Sequence, residues 1–321
     1  MKLRISPLLL NLIVATAGPV FGQSHYPERS IRLLYGFPPG NDTPSRIFSD
    51  KLAEAFGKPV IVENVTGAAG NLAADRTASA APDGYTLGML TGANIVLRPL
   101  LSSKPYDPLK DLVPISVVWR FTNVVAVNNN VPARTLAELV TLARATPGKL
   151  TFGHNGVGSV THLSGELLKD RAKIDIQGVP YRGPSAILTD LVGGRIAMTI
   201  NPPSSTLPLV QAGHIRGLAV TSLARTAFAP DLPTVAESGY PGFETMVWFG
   251  LFAPAGTPRV IVDRLSRETA KLIDSEDVRN RFFNLAIIPA SSTPAEFEQA
   301  IKAETALWSR LIKDAGIQPI E

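Results

Sequence analysis

Apolar and polar positions along the chain switch repeatedly between two periods. Ile31–Phe37 and Pro59–Asn64 are short runs rich in branched residues, and Tyr85–Leu90 is a third. Between them, Ser45–Phe56 and Leu72–Ala80 carry helical spacing. The pattern predicts strand, helix, strand, helix, strand. Gly57, the Gly67–Asn71 turn and Ala81-Pro82-Asp83-Gly84 punctuate it. That order at short spacing predicts an α/β chain with a mostly parallel sheet and helices on both faces.

A second set of units begins near Asn123. Strands are predicted at Val124–Val127, through Phe152, and at Ile176–Pro180, Ile196–Ile200 and Ile215–Thr221. Helices are predicted at Leu136–Ala145, opened by the capping box Thr135-x-x-Glu138, and at Pro184–Val192 and Ser204–Gln211. Pro230–Gly242 reads as a linker, and Val247–Ala253 as a buried strand. Thr257-Pro258 is expected to cap a helix through Leu272, and Val278–Leu285 looks helical. Thr293-Pro294-Ala295-Glu296 opens a long helix to Ala315 that stops at Gly316. The tail holds too few strands for a third unit. The expected division is therefore 23–122 plus 246–321 as one lobe and 123–245 as the other, with crossovers near 120–125 and 240–248.

Composition narrows the function. There are 31 basic and 27 acidic residues, and two of the basic ones, Lys2 and Arg4, precede the apolar run Leu8–Ala17. That run is short for a membrane span, and Val20-Phe21-Gly22 follows it, so residues 1–22 are expected to be a signal peptide. The mature chain is therefore expected to be soluble and exported. No Lys/Arg cluster suggests nucleic acid. With no cysteine and four scattered histidines (His25, His154, His162, His214), neither a disulfide nor a metal site is expected. No cofactor motif and no catalytic constellation is found.

Two stretches repeat one plan. Leu150–Lys169 (LTFGHNGVGSVTHLSGELLK) and Ile31–Leu52 (IRLLYGFPPGNDTPSRIFSDKL) each read as strand, Gly- or Pro-rich turn, then helix. A helix N-terminus leaves N–H donors unpaired and favours an anion. Ligands of such sheets sit beyond strand carboxyl ends. Thr91 and Asn94 follow a strand end, and Asn201 ends another. Asn41 or Asp42 could simply cap a helix, and Ser159 could do the same. The reading preferred for Ser159 is a hydroxyl donor to a ligand carboxylate. Gly-Val-Gly-Ser-Val is not a nucleophile elbow, and no acidic partner for His162 is evident.

FPPG with ND, PVIVEN-x-x-GAAGN, APDGYTLGM, PYDPLKDLVPIS, VPARTLAELVTLARATPGKLTFG, GVGSVTHLSGELLK, VPYRGPSAILTDLVGGRI, PDLPTVAESGYPGFE, WFGLFAPAGTP and DAGIQP occur in order from Tyr26 to Pro319. Together they resemble the Bug family, the periplasmic solute receptors of tripartite tricarboxylate transporters. The resemblance implies a type II-like Venus-flytrap fold, with two α/β lobes and two crossovers. It implies capture of a small carboxylate in the cleft: a dicarboxylate, a tricarboxylate, an acidic amino acid or an aromatic acid. The expected partner is a membrane permease, or alternatively a signalling sensor, and the receptor is expected to be a monomer. A hydrolase using Ser159 and His162 is a weaker alternative. By matching motif, the implied ligand-binding residues are Phe37, Gly40, Asn41, Asp42, Thr91, Asn94, Asn155, Val157, Gly158, Ser159, Tyr181, Gly183 and Asn201. Two departures stand out. Gly40 runs straight into Asn41-Asp42, a loop about two residues shorter than the family's, and Asn201 stands where the family usually has Asp.

Overall fold

The computed structural model describes residues 26–103, 107–314 and 316–318. The expected signal peptide and Ala315 lie outside them. The first part of the chain forms β1 (Ile31–Tyr35), α1 (Thr43–Phe56), β2 (Val60–Asn64), α2 (Asn71–Ala78), β3 (Thr86–Thr91), α3 (Arg98–Leu101), α4 (Pro108–Asp111) and β4 (Leu112–Thr122). Then come β5 (Val124–Asn128), α5 (Leu136–Ala145), β6 (Thr151–His154), α6 (Val160–Ala172), β7 (Gln177–Pro180), α7 (Pro184–Val192), β8 (Met198–Asn201), α8 (Pro203–Gln211) and β9 (Ile215–Val220). The tail holds β10 (Met246–Pro254), α9 (Arg259–Asp274), α10 (Glu276–Asn284), β11 (Ile288–Pro289) and α11 (Pro294–Asp314).

Two sheets organise these elements. The six-stranded sheet has the order β11-β4-β10-β3-β1-β2, and the five-stranded sheet β7-β6-β8-β5-β9. Strands β2, β1 and β3 pair in parallel, as do β7, β6 and β8. Strand β10 runs against β3 and β4, and β5 against β8 and β9. These two enter their sheets from the opposite lobe, not through a covering helix, so nothing returns them to the parallel direction.

Side chains alternate across β1. Leu34 packs in a core that runs through both sheets, from Phe252 to Val125 and Phe152. Leu33 and Tyr35 pack with Phe48, Trp119 and Leu265 on the other face of the first sheet. Ile187, Leu191 and Leu207 cover the outer face of the second. Helices therefore lie on both faces, as the short βα spacing predicts.

Patterning predicts no element over the 11-residue strand β4. Both faces carry buried side chains as far as Trp119, Ser116 included, so it lacks the exposure alternation that marks a half-exposed strand, and it contains Pro114. Thr257 caps no helix: α9 starts at Arg259, and the Thr257 hydroxyl donates to the Pro254 carbonyl at 2.8 Å.

Only Asn123 separates β4 from β5, and three threonines tie the chain together there. The Thr221 hydroxyl donates to the Thr245 carbonyl (2.6 Å) and accepts from the Asn123 N–H (2.9 Å). The Thr221 N–H donates to the Thr122 hydroxyl (2.9 Å). Ser164 on α6 donates to the Thr245 hydroxyl (2.7 Å). Buried hydroxyls thus pin both crossovers to one point.

Candidate ligand-binding site

The implied residues gather as two half-sites, one at the strand carboxyl ends of each sheet. In the first half-site the turn after β1 meets the turn before α2. A Cβ on Gly36 would lie 2.5 Å from the Gly70 Cα, so only glycine permits this approach. Asn94, in a short π-helical turn at Ala93–Leu97, fastens the same region. Its amide donates to the Ala69 carbonyl (3.2 Å) and to Asn71 Oδ1 (2.8 Å). Its Oδ1 accepts from the Thr91 hydroxyl (2.7 Å) and the Thr91 N–H (3.2 Å). The hydrogen-bonding capacity of Asn94 is therefore spent on loop architecture.

Asp42 is 3% exposed; it holds the N-cap position of α1, but its side chain makes no cap bond there. Its carboxylate accepts from Arg46 Nη2 (2.7 Å), Arg46 Nε (2.9 Å) and the Gly40 N–H (3.1 Å). Burial pushes this carboxyl up, but the hydrogen bonds from Arg46, Asn64 and Gly40 and the Arg46 charge outweigh it. The net result lies below the usual carboxylate range. Tyr35 donates to the Asn41 carbonyl (2.8 Å), and Asn64 donates to the Phe37 carbonyl (2.9 Å). The Phe37 ring sits beside Tyr35 and Phe249.

In the second half-site the β6–α6 turn is held by the first turn of its own helix. Gly156 (φ 94°) and Gly158 (φ 79°) adopt left-handed backbone. The Ser159 hydroxyl donates to the Gly156 carbonyl (2.7 Å) and accepts from the His162 N–H (3.2 Å), the N-cap arrangement. Its proton thus lies on the loop, which corrects the expectation of a free donor aimed at a ligand. The Asn155 N–H donates to Thr161 Oγ1 (2.9 Å), and the Gly158 N–H donates to His162 Nδ1 (3.3 Å). Val157 is 54% exposed at the tip.

The other members sit close by. The Tyr181 N–H donates to the His154 carbonyl (2.9 Å), and its hydroxyl turns away to Asp190 on α7 (2.8 Å). Gly183 precedes α7 with open space where a Cβ would be. Asn201 is fully buried, and its amide makes only a long contact to the Pro184 carbonyl (3.5 Å). The side-chain oxygens of Asn155 and Asn201 are buried without a partner among the described residues. No hydrogen bond joins the two half-sites among those residues.

Residues that patterning passed over are Arg46, Asn64 and Asn71; Thr161 is among the hydrogen-bonding side chains that the sequence places near the turn. Asp42/Arg46 is an i,i+4 pair, so helical spacing could have found it. The same rule reveals Glu166, whose carboxylate lies 3.9 Å from His162 Nε2, an acidic neighbour not expected there. Ser159 makes no bond to the His162 imidazole; it bonds that residue's backbone. The hydrogen bond between nucleophile and base that a Ser–His hydrolase requires is thus missing from this geometry.

A cavity of about 660 Å³ lies elsewhere, between Arg120, Met246, Phe283 and Ile288 on one side and Leu223 and Phe228 on the other. None of the implied ligand residues lines it. Among the described residues no acidic, His or Cys cluster could hold a metal, and no helix is long and apolar enough to cross a membrane.

A family model described as "Tripartite tricarboxylate transporter family receptor" matches residues 45–317. Protein BugT of Bordetella pertussis is 34% identical over 316 residues, 96% of each chain. Among solved structures, R. palustris Rpa4515 with adipate superposes with a TM-score of 0.82 at 35% identity, over 92% of this chain and 100% of that one. MatC from Rhodopseudomonas palustris with bound malate gives 0.76 at 30% identity, over 89% of this chain and 100% of its own.

Proposed function

The chain belongs to the tripartite tricarboxylate transporter receptor family, and from that premise we propose that it is an exported receptor. It captures a small organic carboxylate between its lobes and delivers it to a membrane permease, without catalysis. The observation that carries this reading is the neutral character of both half-sites. Parallel strands run into Gly-, Pro- and Asn-rich turns and then into the N-termini of α1, α2, α6, α7 and α8. Such a cradle offers backbone N–H groups and the positive ends of helix dipoles. The one buried carboxylate among the implied residues, Asp42, is already neutralised by Arg46.

Thirteen implied residues fall into two roles under this reading. Gly40, Asn41, Asn155, Val157, Gly158, Gly183 and Asn201 form the contact surface. Phe37, Asp42, Thr91, Asn94, Ser159 and Tyr181 shape it. Lobe closure, with 23–122 plus 246–321 moving against 123–245 about Asn123 and Thr245, brings the halves together. The relatives solved with adipate and malate make dicarboxylates the first ligands to try.

A thermal-shift panel of adipate, malate, citrate, glutamate and benzoate tests the proposal. A ligand at a hundred times its Kd adds about 2.7 kcal/mol, and a chain of this size gains ~1.5–2 °C per kcal/mol. One acid is expected to raise Tm by several degrees. A flat panel would count against carboxylate capture.

A further inference from the structure

The turn that carries Val157 and Gly158 is not self-supporting. Its two glycines adopt positive φ, and its shape depends on three side chains of the following helix turn: Ser159, Thr161 and His162. Two of these are hydroxyls that do not titrate. The third is an imidazole used as an acceptor. The bond from the Gly158 N–H to His162 Nδ1 exists only while that nitrogen carries no proton. A hydroxyl or amide could do this at any pH; an imidazole does it only above its own pKa.

The surroundings keep the ring neutral. His162 packs against the His154 ring, with centroids 4.5 Å apart. His154 itself is buried on β6 between Phe152 and the Gly178 backbone of β7. The charged groups near the pair are Glu166, 3.9 Å from His162 Nε2, and Lys169, which donates to Glu166 at 2.9 Å. The lysine therefore shares the Glu166 carboxylate with the ring and offsets its charge. Burial, then Lys169, pushes His162 below the ordinary histidine value; burial, then His162, takes His154 down to about 4.

We infer that His162 is a positioning residue whose neutral imidazole holds the Gly156–Ser159 turn in its ligand-binding shape, so that turn order and carboxylate affinity fall together in acid. The ligand half of this inference rests on the receptor reading above; the turn half does not. Protonating Nδ1 turns an acceptor into a donor facing the Gly158 N–H. The turn must then give way, and the exposed Val157 tip moves with it.

The experiment uses the mature protein with 15N labelling, at pH 7.5, 6.0 and 4.5. The first readout is Gly158 amide protection, corrected for intrinsic exchange; the second is calorimetric titration with adipate. Three proteins are compared: wild type, His162→Asn and His162→Phe. Asn places an amide oxygen where Nδ1 stands and does not titrate; Phe offers no acceptor. Wild type should lose Gly158 protection as pH falls through the lowered His162 value, and with it about five- to tenfold in adipate affinity relative to His162→Asn at the same pH, the loss of one hydrogen bond. His162→Asn should keep Gly158 protection flat across that range, its affinity changing only with adipate's own titration. His162→Phe should show the acid-like state at every pH.

Gly158 protection that is equal in all three proteins, or that falls with pH in His162→Asn as in wild type, overturns the inference. The second outcome would assign the titration to His154. If adipate and the rest of the carboxylate panel fail to bind wild type at pH 7.5, the receptor reading fails, while Gly158 protection still decides the role of His162.

Discussion

The two half-sites reach the same shape by opposite chemistry. The turn after β1 is locked by charge: Asp42, Arg46 and Asn64 share a compact set of bonds that fixes Gly40 and leaves the carboxylate neutralised. The turn after β6 is locked by neutral groups: two hydroxyls and an imidazole from one helix turn. Under the receptor reading, a carboxylate arriving between them meets no unpaired charge from Asp42 and an uncharged clamp opposite. The difference teaches that an anion site can carry a buried acid, provided that acid is spent on holding the loop.

The comparison breaks most completely if the charge-locked half cannot form. In Gly36→Ala the new Cβ would meet the Gly70 backbone, which has no flexible side chain to move aside. A loss of ~3 kcal/mol is expected, the upper part of the overpacking range, with ligand binding abolished. Thermal melting and calorimetry read both. Asp42→Ala should follow, at about 2 kcal/mol. It strands the Gly40 N–H and releases Arg46, although that guanidinium is half exposed and so recovers part of the loss from water. Ser159→Ala on the neutral side should cost ~1 kcal/mol as the loss of an N-cap. Its effect on affinity should come through the turn, not through a lost contact, so Ser159→Thr, which keeps the hydroxyl, should retain stability, whereas Ser159→Asp, with no proton for the Gly156 carbonyl, should retain it only in part.

The smallest and most discriminating effect is acid sensitivity. His154 and His162 are held neutral in the fold and protonate at about 6.5 when unfolded, so the unfolded chain binds more protons below that pH. Stability from this side is whole above pH 6.5 and drains away as pH falls toward about 4. Asp42 is depressed below 3.8, so its contribution persists through that window and is lost only at lower pH. Hydrogen exchange of peptides covering 36–42 and 155–159 at pH 7 and 5 should show the second loosening and the first unchanged, after intrinsic correction. Equal loosening would erase the distinction.

Much of this was legible in the chain itself. The βα alternation, the Gly- and Pro-rich turns and the capping boxes at Thr135 and Thr293 correspond to elements of the fold. The half-sites were visible as strand–turn–helix repeats. What stayed hidden was of two kinds. Strand β4 has no alternation because both faces are buried, so periodicity carries no signal there. The division of labour within the site depends on which partner each polar group finds. Asn94 reads as a ligand contact until Ala69 and Asn71 are seen to occupy its amide. Ser159 reads as a donor until Gly156 is seen to take its proton. The Asp42–Arg46 and His162–Glu166 pairs were within reach of helical spacing alone, since each is four residues apart on one helix face.

The most direct test of carboxylate capture is native mass spectrometry of the mature protein isolated from the periplasm, with the released small molecule identified after denaturation. The expected result is one bound organic acid per chain, retained in wild type and absent from Gly36→Ala material that remains folded. A wild-type protein that carries no acid and takes up none of the panel compounds at millimolar concentration would contradict it.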